Sequence, residues 1–228
     1  MQKKRSRTVF LLIIVAIIII VLAVILAVII VANLGTQPVQ LVAGVKEGDE
    51  FTYELMGLWE PIDPNATLSD SILRLNMTES YRVTITNVSN SEISIHIAWQ
   101  FKNGTEIEGD GKVDIETGFS GIGFWAIYAA NLNAGELTHP EGPDRVTINS
   151  TITRQYPDGK RETNICQYQR QYYNVNDSSR IYNDYRTIQF DKQTGILVEI
   201  RSETVYNNPR MTEIVWWKLK DSNVWTVT

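Results

Sequence analysis

Cysteine and histidine are nearly missing from this 228-residue chain: Cys166 stands alone, and His96 and His139 are the whole histidine complement. Metal sites draw on clustered His, Cys or carboxylate ligands at short spacing. Two histidines 43 residues apart form no such cluster, so neither a metal nor a cofactor is expected. One thiol cannot build the intrachain bridges of an extracellular disulfide scaffold. Cys166 shares strand parity with Tyr168 and Tyr172 and reads as a buried thiol, with an intermolecular disulfide as the alternative. Nucleophile and phosphate motifs are missing too. Ser120, in Gly118-Phe-Ser-Gly121, lacks the G-x-S-x-G elbow. Gly121-Ile-Gly123 lacks the third glycine and the βαβ setting of a nucleotide loop.

Charge is absent from one long stretch. Val9 to Ala32 gives 24 consecutive apolar residues without charge, Pro or Gly. As a helix it spans ~36 Å, enough for a hydrocarbon core of ~30 Å, so residues 9–32 are read as a transmembrane helix with the lipid bilayer as partner. Lys3, Lys4, Arg5 and Arg7 precede it, whereas Asn33 to Val45 carries no charge. That bias makes residues 1–8 a cytoplasmic basic head and places the carboxyl-terminal portion outside the plasma membrane. A cleaved secretory signal would have a shorter apolar core, about 7 to 15 residues, and a small-residue cleavage site. Neither fits Ala32-Asn-Leu-Gly35. Residues 33–45, with Gly35, Pro38 and Gly44, form a short juxtamembrane linker, and residues 46–228 an extracellular domain. The chain holds 26 acidic against 21 basic residues, and four of the bases lie in the head. A nucleic-acid partner is therefore not expected.

The external assignment has independent support in six N-x-[ST] acceptors, at Asn65, Asn76, Asn87, Asn103, Asn149 and Asn176. Such sites are used only on accessible, externally oriented surface, and N-linked glycans are expected there. Asn164 begins the rarer N-x-C form.

From Glu47 onward apolar residues alternate with polar ones, the period of a half-buried strand. Ile93, Ile95, Ile97, Trp99 and Phe101 share one face, and Tyr81, Val83 and Ile85 form the partner strand across Asn87 to Ser91. Phe51, Tyr53 and Leu55 begin an earlier strand, and Val113 and Ile115 belong to a fourth after the Asn103-Gly104 turn. Val146, Ile148 and Ile152, then Lys160 to Tyr172, Tyr185 to Phe190, Ile196 to Arg201, Thr212 to Leu219 and Val224 to Val227 bring the total to about ten. Asp191 to Gly195 is a hairpin loop ending in the glycine expected at a left-handed bulge position. Phe119 to Leu132, rich in large apolar residues and closed by Asn133 and Gly135, is predicted to be a short helix. The fold class is an N-terminal transmembrane helix plus an all-β, mostly antiparallel ectodomain: a curved sheet or half-barrel with one short covering helix, or alternatively a β-sandwich.

Three stretches carry a resemblance: Gly44-Val-Lys-Glu-Gly48-Asp49-Glu-Phe51-Thr-Tyr53, Ala129-Ala-Asn-Leu-Asn-Ala-Gly135 and Phe190-Asp191-Lys-Gln-Thr-Gly195-Ile-Leu-Val. Together they resemble uncharacterised membrane-anchored β-rich surface proteins of archaea. The last is also similar to the strand-turn-strand hairpin of lipoprotein-carrier (LolA-like) half-barrels. That second resemblance implies a curved sheet around a helix with an apolar cavity for a lipid or similar ligand.

Carboxylates at Glu106, Glu108, Asp110, Asp114 and Glu116 alternate along a strand and read as its wet face; convergence on calcium or a glycoside is the alternative. Both histidines read as solvated side chains. The six Trp and ten Tyr lie wholly outside the apolar run. Most are core rings, although Tyr172, Tyr173, Tyr182 and Tyr185, interleaved with Asn, Arg and Asp, also suit a polar binding face. The expectation is a single-pass cell-surface glycoprotein whose non-catalytic ectodomain binds a surface ligand or an envelope protein. A membrane-tethered carrier of a lipid or hydrophobic ligand comes second, with Trp125 and Tyr128 as the candidate ligand-contacting residues, and a glycan-active hydrolase third. Protease shaving of intact cells is expected to remove the portion after residue 45; its survival in a control-validated assay would reverse the topology.

Overall fold

A computed structural model describes residues 21, 23–25, 41–174 and 177–227, and divides the chain into two units, Met1–Gln40 and Leu41–Thr228. In the first unit Val21, Ala23, Val24 and Ile25 are helical. The rest of the expected membrane span 9–32, the basic head, residues 33–40 and Asn176 lie outside the described residues. Among the described residues no helix is long and apolar enough to cross a membrane.

The second unit is one open antiparallel sheet of nine strands: β1 (Glu50–Pro61), β2 (Thr78–Ser89), β3 (Glu92–Phe101), β4 (Glu106–Asp114), β5 (Ser150–Tyr156), β6 (Gly159–Asn174), β7 (Asp177–Asp191), β8 (Leu197–Asn207) and β9 (Arg210–Ser222). Their order, β4-β3-β2-β1-β9-β8-β7-β6-β5, is two meanders joined at the centre by the pairing of β1 with β9. A single sheet excludes the two-layer sandwich. Period-two alternation sets the register: Tyr81 faces Trp99, Val83 faces Ile97 and Ile85 faces Ile95. These residues, with Phe51, Tyr53 and Leu55, give the sheet a dry inner face. The edge strand β4 carries Glu106, Glu108 and Asp110, all exposed or half-exposed, which discourages a further strand from adding there.

Strand β4 ends on one edge of the sheet and β5 begins on the other. With strands ~4.8 Å apart, the connection must travel the breadth of the sheet, and residues 115–149 do so as an irregular strap across the inner face. The helix expected over Phe119 to Leu132 is not formed. Gly118 and Gly123 take positive φ of 73° and 82°, and Asn131 takes 61°, which breaks any helical run. Apart from the Ile127 N–H to Trp125 O bond, backbone groups in this stretch bond mostly to other segments. Tyr128 N–H donates to Gly195 O at 2.9 Å, Ala130 N–H to Val42 O at 2.8 Å, Asn131 N–H to Lys192 O at 2.7 Å, and Leu197 N–H to Ala126 O at 3.2 Å. Ala126, Ile127, Tyr128 and Ala129 are all buried, as befits an extended segment sandwiched on both sides. Phe124 sits among Tyr53, Tyr81 and Trp217 at centroid distances of 5.5, 6.2 and 6.3 Å. Burying one such ring is worth about 1.5–3 kcal/mol. Two glycines permit the close approach: a Cβ on Gly111 would stand 2.3 Å from Ile122, and one on Gly195 1.9 Å from Tyr128 O. Gly195, expected as a left-handed bulge residue, has φ +75°.

Nine strands replace the expected ten. Val146 and Ile148 belong to the strap, and Val224 to Val227 follows β9 without pairing as a strand. The helix of this unit is α1 (Asp70–Asn76), which the sequence reading missed. Ser69 Oγ caps it by accepting from Ile72 N–H at 3.3 Å, Asp70 sits in its first turn and Arg74 in its last, both favourable to the helix dipole. Its last residue extends the sheet. Beside Gly57 the strand β2 has ended, and the Asn76 amide takes its place: Gly57 N–H donates to Oδ1 at 2.9 Å and Asn76 Nδ2 donates to Gly57 O at 2.8 Å. Asn76→Ala leaves both groups without protein partners and is expected to lower unfolding free energy by about 1–3 kcal/mol, measured by chemical denaturation.

Candidate functional site

Cross-strand registry arranges the inner face in rows. Leu55, Trp217, Ile200, Ile188 and Cys166 form an apolar row. The next holds Gly57, Val215, Ser202, Arg186 and Tyr168, and the one beyond it Trp59, Glu213, Thr204, Asp184 and Arg170. The face therefore passes from dry to charged within two rows, and the strap lies over the transition. Between strap and sheet is a cleft of about 560 Å³, walled by Trp125, Tyr128, His139 and Val146 from the strap and by Tyr168, Arg186 and Ile188 from the sheet. A second hollow of about 260 Å³ shares Trp125 and Arg186 with it and continues over Phe124, Ile200 and Trp217.

Each wall is held in place. Tyr128, 1% exposed, is fixed by its backbone bond to Gly195 and by stacking on Phe190 at 4.2 Å and His139 at 5.1 Å. Trp125 meets Tyr128 edge-on at 6.5 Å and 89°. The Tyr128 hydroxyl is buried without a hydrogen-bond partner among the described residues. Burial pushes its pKa well above the usual tyrosine value, so it remains a proton donor. Arg186 pairs with Asp184, a buried carboxylate that also accepts from Ser202 Oγ at 2.5 Å. The Arg186 Nε is likewise buried without a partner. Asp144, on the cleft lining, pairs with Arg170 at 2.7 Å.

Trp125 and Tyr128 thus stand together at one cleft, on the strap rather than on a helix. Arg186, Tyr168 and His139 were not foreseen as its members, nor Asp184 as the buried partner of Arg186. Parity alone groups Tyr168 with Tyr172 on β6, but only the pairing of Tyr168 with Arg186 reveals the cation beside it. Among the expected polar tyrosines, Tyr172 stacks on Tyr182 at 4.9 Å, while Tyr173 and Tyr185 are exposed. His139, expected to be solvated, is half-buried with its Nδ1 3.0 Å from Ile115 O. His96 lies on β3, its Nδ1 2.8 Å from Asp110 Oδ1 and its Nε2 4.0 Å from Glu108. Glu106, Glu108, Asp110, Asp114 and Glu116 run along or just past β4, and none of them walls the cleft. Cys166 is free and fully buried, its thiol pushed up to about 12 by burial.

The acceptor asparagines at 65, 76, 87, 103 and 149 are exposed. Asn103 Oδ1 accepts from Thr105 N–H at 3.0 Å and Asn149 Oδ1 from Gln167 N–H at 2.5 Å, whereas the Asn76 amide is engaged at both ends by Gly57. Asn164 is buried, donating to Leu132 O at 2.8 Å and accepting from Thr151 Oγ1 at 2.6 Å.

Comparison with protein-family models, curated proteins and solved structures found no match.

The surroundings of His139 make stability pH-dependent. Burial lowers its pKa below the ordinary 6.5, outweighing the Ile115 carbonyl and the more distant Asp144 and Asp114 that favour the charged form. The unfolded chain then binds the proton first, so stability present at neutral pH declines as pH falls below the ordinary histidine value. Thermal melts by circular dichroism at pH about 7.5 and about 5.5, either side of that value, are expected to show a lower midpoint in acid. His139→Gln should flatten this difference.

Proposed function

We propose that this chain is a single-pass surface glycoprotein, amino terminus inside, whose ectodomain is a non-catalytic binding module for a small, largely apolar ligand held beneath the strap. The observation that carries the reading is the cleft. Its volume of about 560 Å³ falls among those of small-molecule sites, about 300–1,000 Å³. Aromatic and aliphatic side chains make up about half of its lining, with polar groups contributed by the strap at Thr117, Ser120, Thr138, His139 and Asp144 and by the sheet at Arg186. That composition favours a ligand-holding role over a purely envelope-structural one. It also accords with the hydrophobic-ligand reading of the half-barrel resemblance, with the strap covering the sheet in place of a helix. Membrane anchorage and glycosylation enter from the apolar run and the acceptor sequons.

Native mass spectrometry of the chain, extracted gently from its own membrane, tests the reading. A stoichiometric apolar small molecule is expected to co-purify and to be lost on Trp125→Ala. Glycan mass alone on the polypeptide would overturn it in favour of a structural surface module.

A further inference from the structure

The charge and hydrogen-bond balance of the cleft narrows what it can hold. Its lining arginine, Arg186, is already matched by the buried Asp184, which Ser202 holds in place, and the lining Asp144 is paired with Arg170. The half-buried His139, with its pKa lowered by burial, adds no charge at neutral pH. An anionic head entering here would lose water and find no unmatched countercharge among these groups, a net cost in an apolar enclosure.

Two residues on the cleft lining carry unused donors. The Tyr128 hydroxyl and the Arg186 Nε–H are both enclosed, and neither has an acceptor among the described residues. Both residues line the same cleft. Buried donors without partners carry a desolvation cost that an incoming acceptor removes. Arg186 and Trp125 also belong to both hollows, so apolar surface extends on either side of the donor pair: Val146 and Ile188 on one, Ile200 and Trp217 on the other.

Taking the cleft to be a binding site, as above, we infer that its ligand is a neutral, mainly apolar molecule bearing a carbonyl oxygen that accepts from Tyr128 and Arg186. Charged lipids and simple hydrocarbons are the poorer occupants, the first for want of a countercharge and the second because they leave the donors unpaired.

Three probes of one shape separate these cases: 2-acetylnaphthalene, a neutral ketone; 2-naphthoate, an anion; and 2-ethylnaphthalene, a hydrocarbon. Calorimetric titration uses the full chain in nanodiscs, with empty nanodiscs as the blank. The ketone is expected to bind about tenfold tighter than either competitor, the size of one satisfied hydrogen bond. In Tyr128→Phe that ketone-to-hydrocarbon ratio should fall towards one without loss of thermal stability, because the hydroxyl removed has no partner to lose. Arg186→Lys keeps a charge opposite Asp184 but lacks the Nε–H, and provides the same ratio test should Tyr128→Phe fold poorly. Naphthoate binding as tightly as the ketone, or an unchanged ratio in the folded variants, overturns the inference while leaving a hydrophobic cleft intact. Failure of all three probes to bind overturns the cleft itself as a binding site.

Discussion

The fold depends on how one buried carboxylate is satisfied. Asp191, at the end of β7 and 1% exposed, accepts both donors of Arg161 at 2.8 Å, and the N–H and hydroxyl of Thr194 also at 2.8 Å. A buried ion is tolerated only when its lone pairs are occupied in this way. These bonds fix the loop from Asp191 to Gly195, whose carbonyls at Lys192 and Gly195 hold the strap by Asn131 and Tyr128. The strap in turn supplies one wall of the cleft. Arg161 also lies 4.3 Å over the ring of Trp225, so the same pair ties the segment after β9 to β6, three strands away in the same meander.

The topology explains why a cover exists at all. Two meanders meeting at β1 and β9 leave their free ends on opposite edges, and any connection between those edges must cross a face. Crossing the apolar face buries it, while the polar outer face remains in water. The cleft lies where the strap passes from the dry rows to the charged ones.

Strands and turns were legible because their signals are local. Alternation from Ile93 to Phe101, the Asn103-Gly104 turn and the glycine at 195 depend on residues within a few positions of one another, and the structure contains each of them. The strap was not legible. Its apolar density between Phe124 and Ala130 arises from contacts with Val42, Gly195 and Leu197, distant in sequence, and a dense apolar run without alternation reads as a helix. Trp125 and Tyr128 were therefore recognised as cleft candidates on the wrong element. Arg186 was missed because its meaning rests on registry with Tyr168 and Ser202, which no single strand discloses. The short α1 has a capping serine but only two buried residues, too few to declare a period.

The first residues of the β-rich unit have a mechanical consequence. Ala43 bridges to Ala129, and Val42 accepts from Ala130, so the chain enters the domain through the strap and not through an outer strand. Any force applied at Leu41 is borne first by the strap. The same few backbone bonds that seat Val42 and Ala43 also fix the strap next to Tyr128.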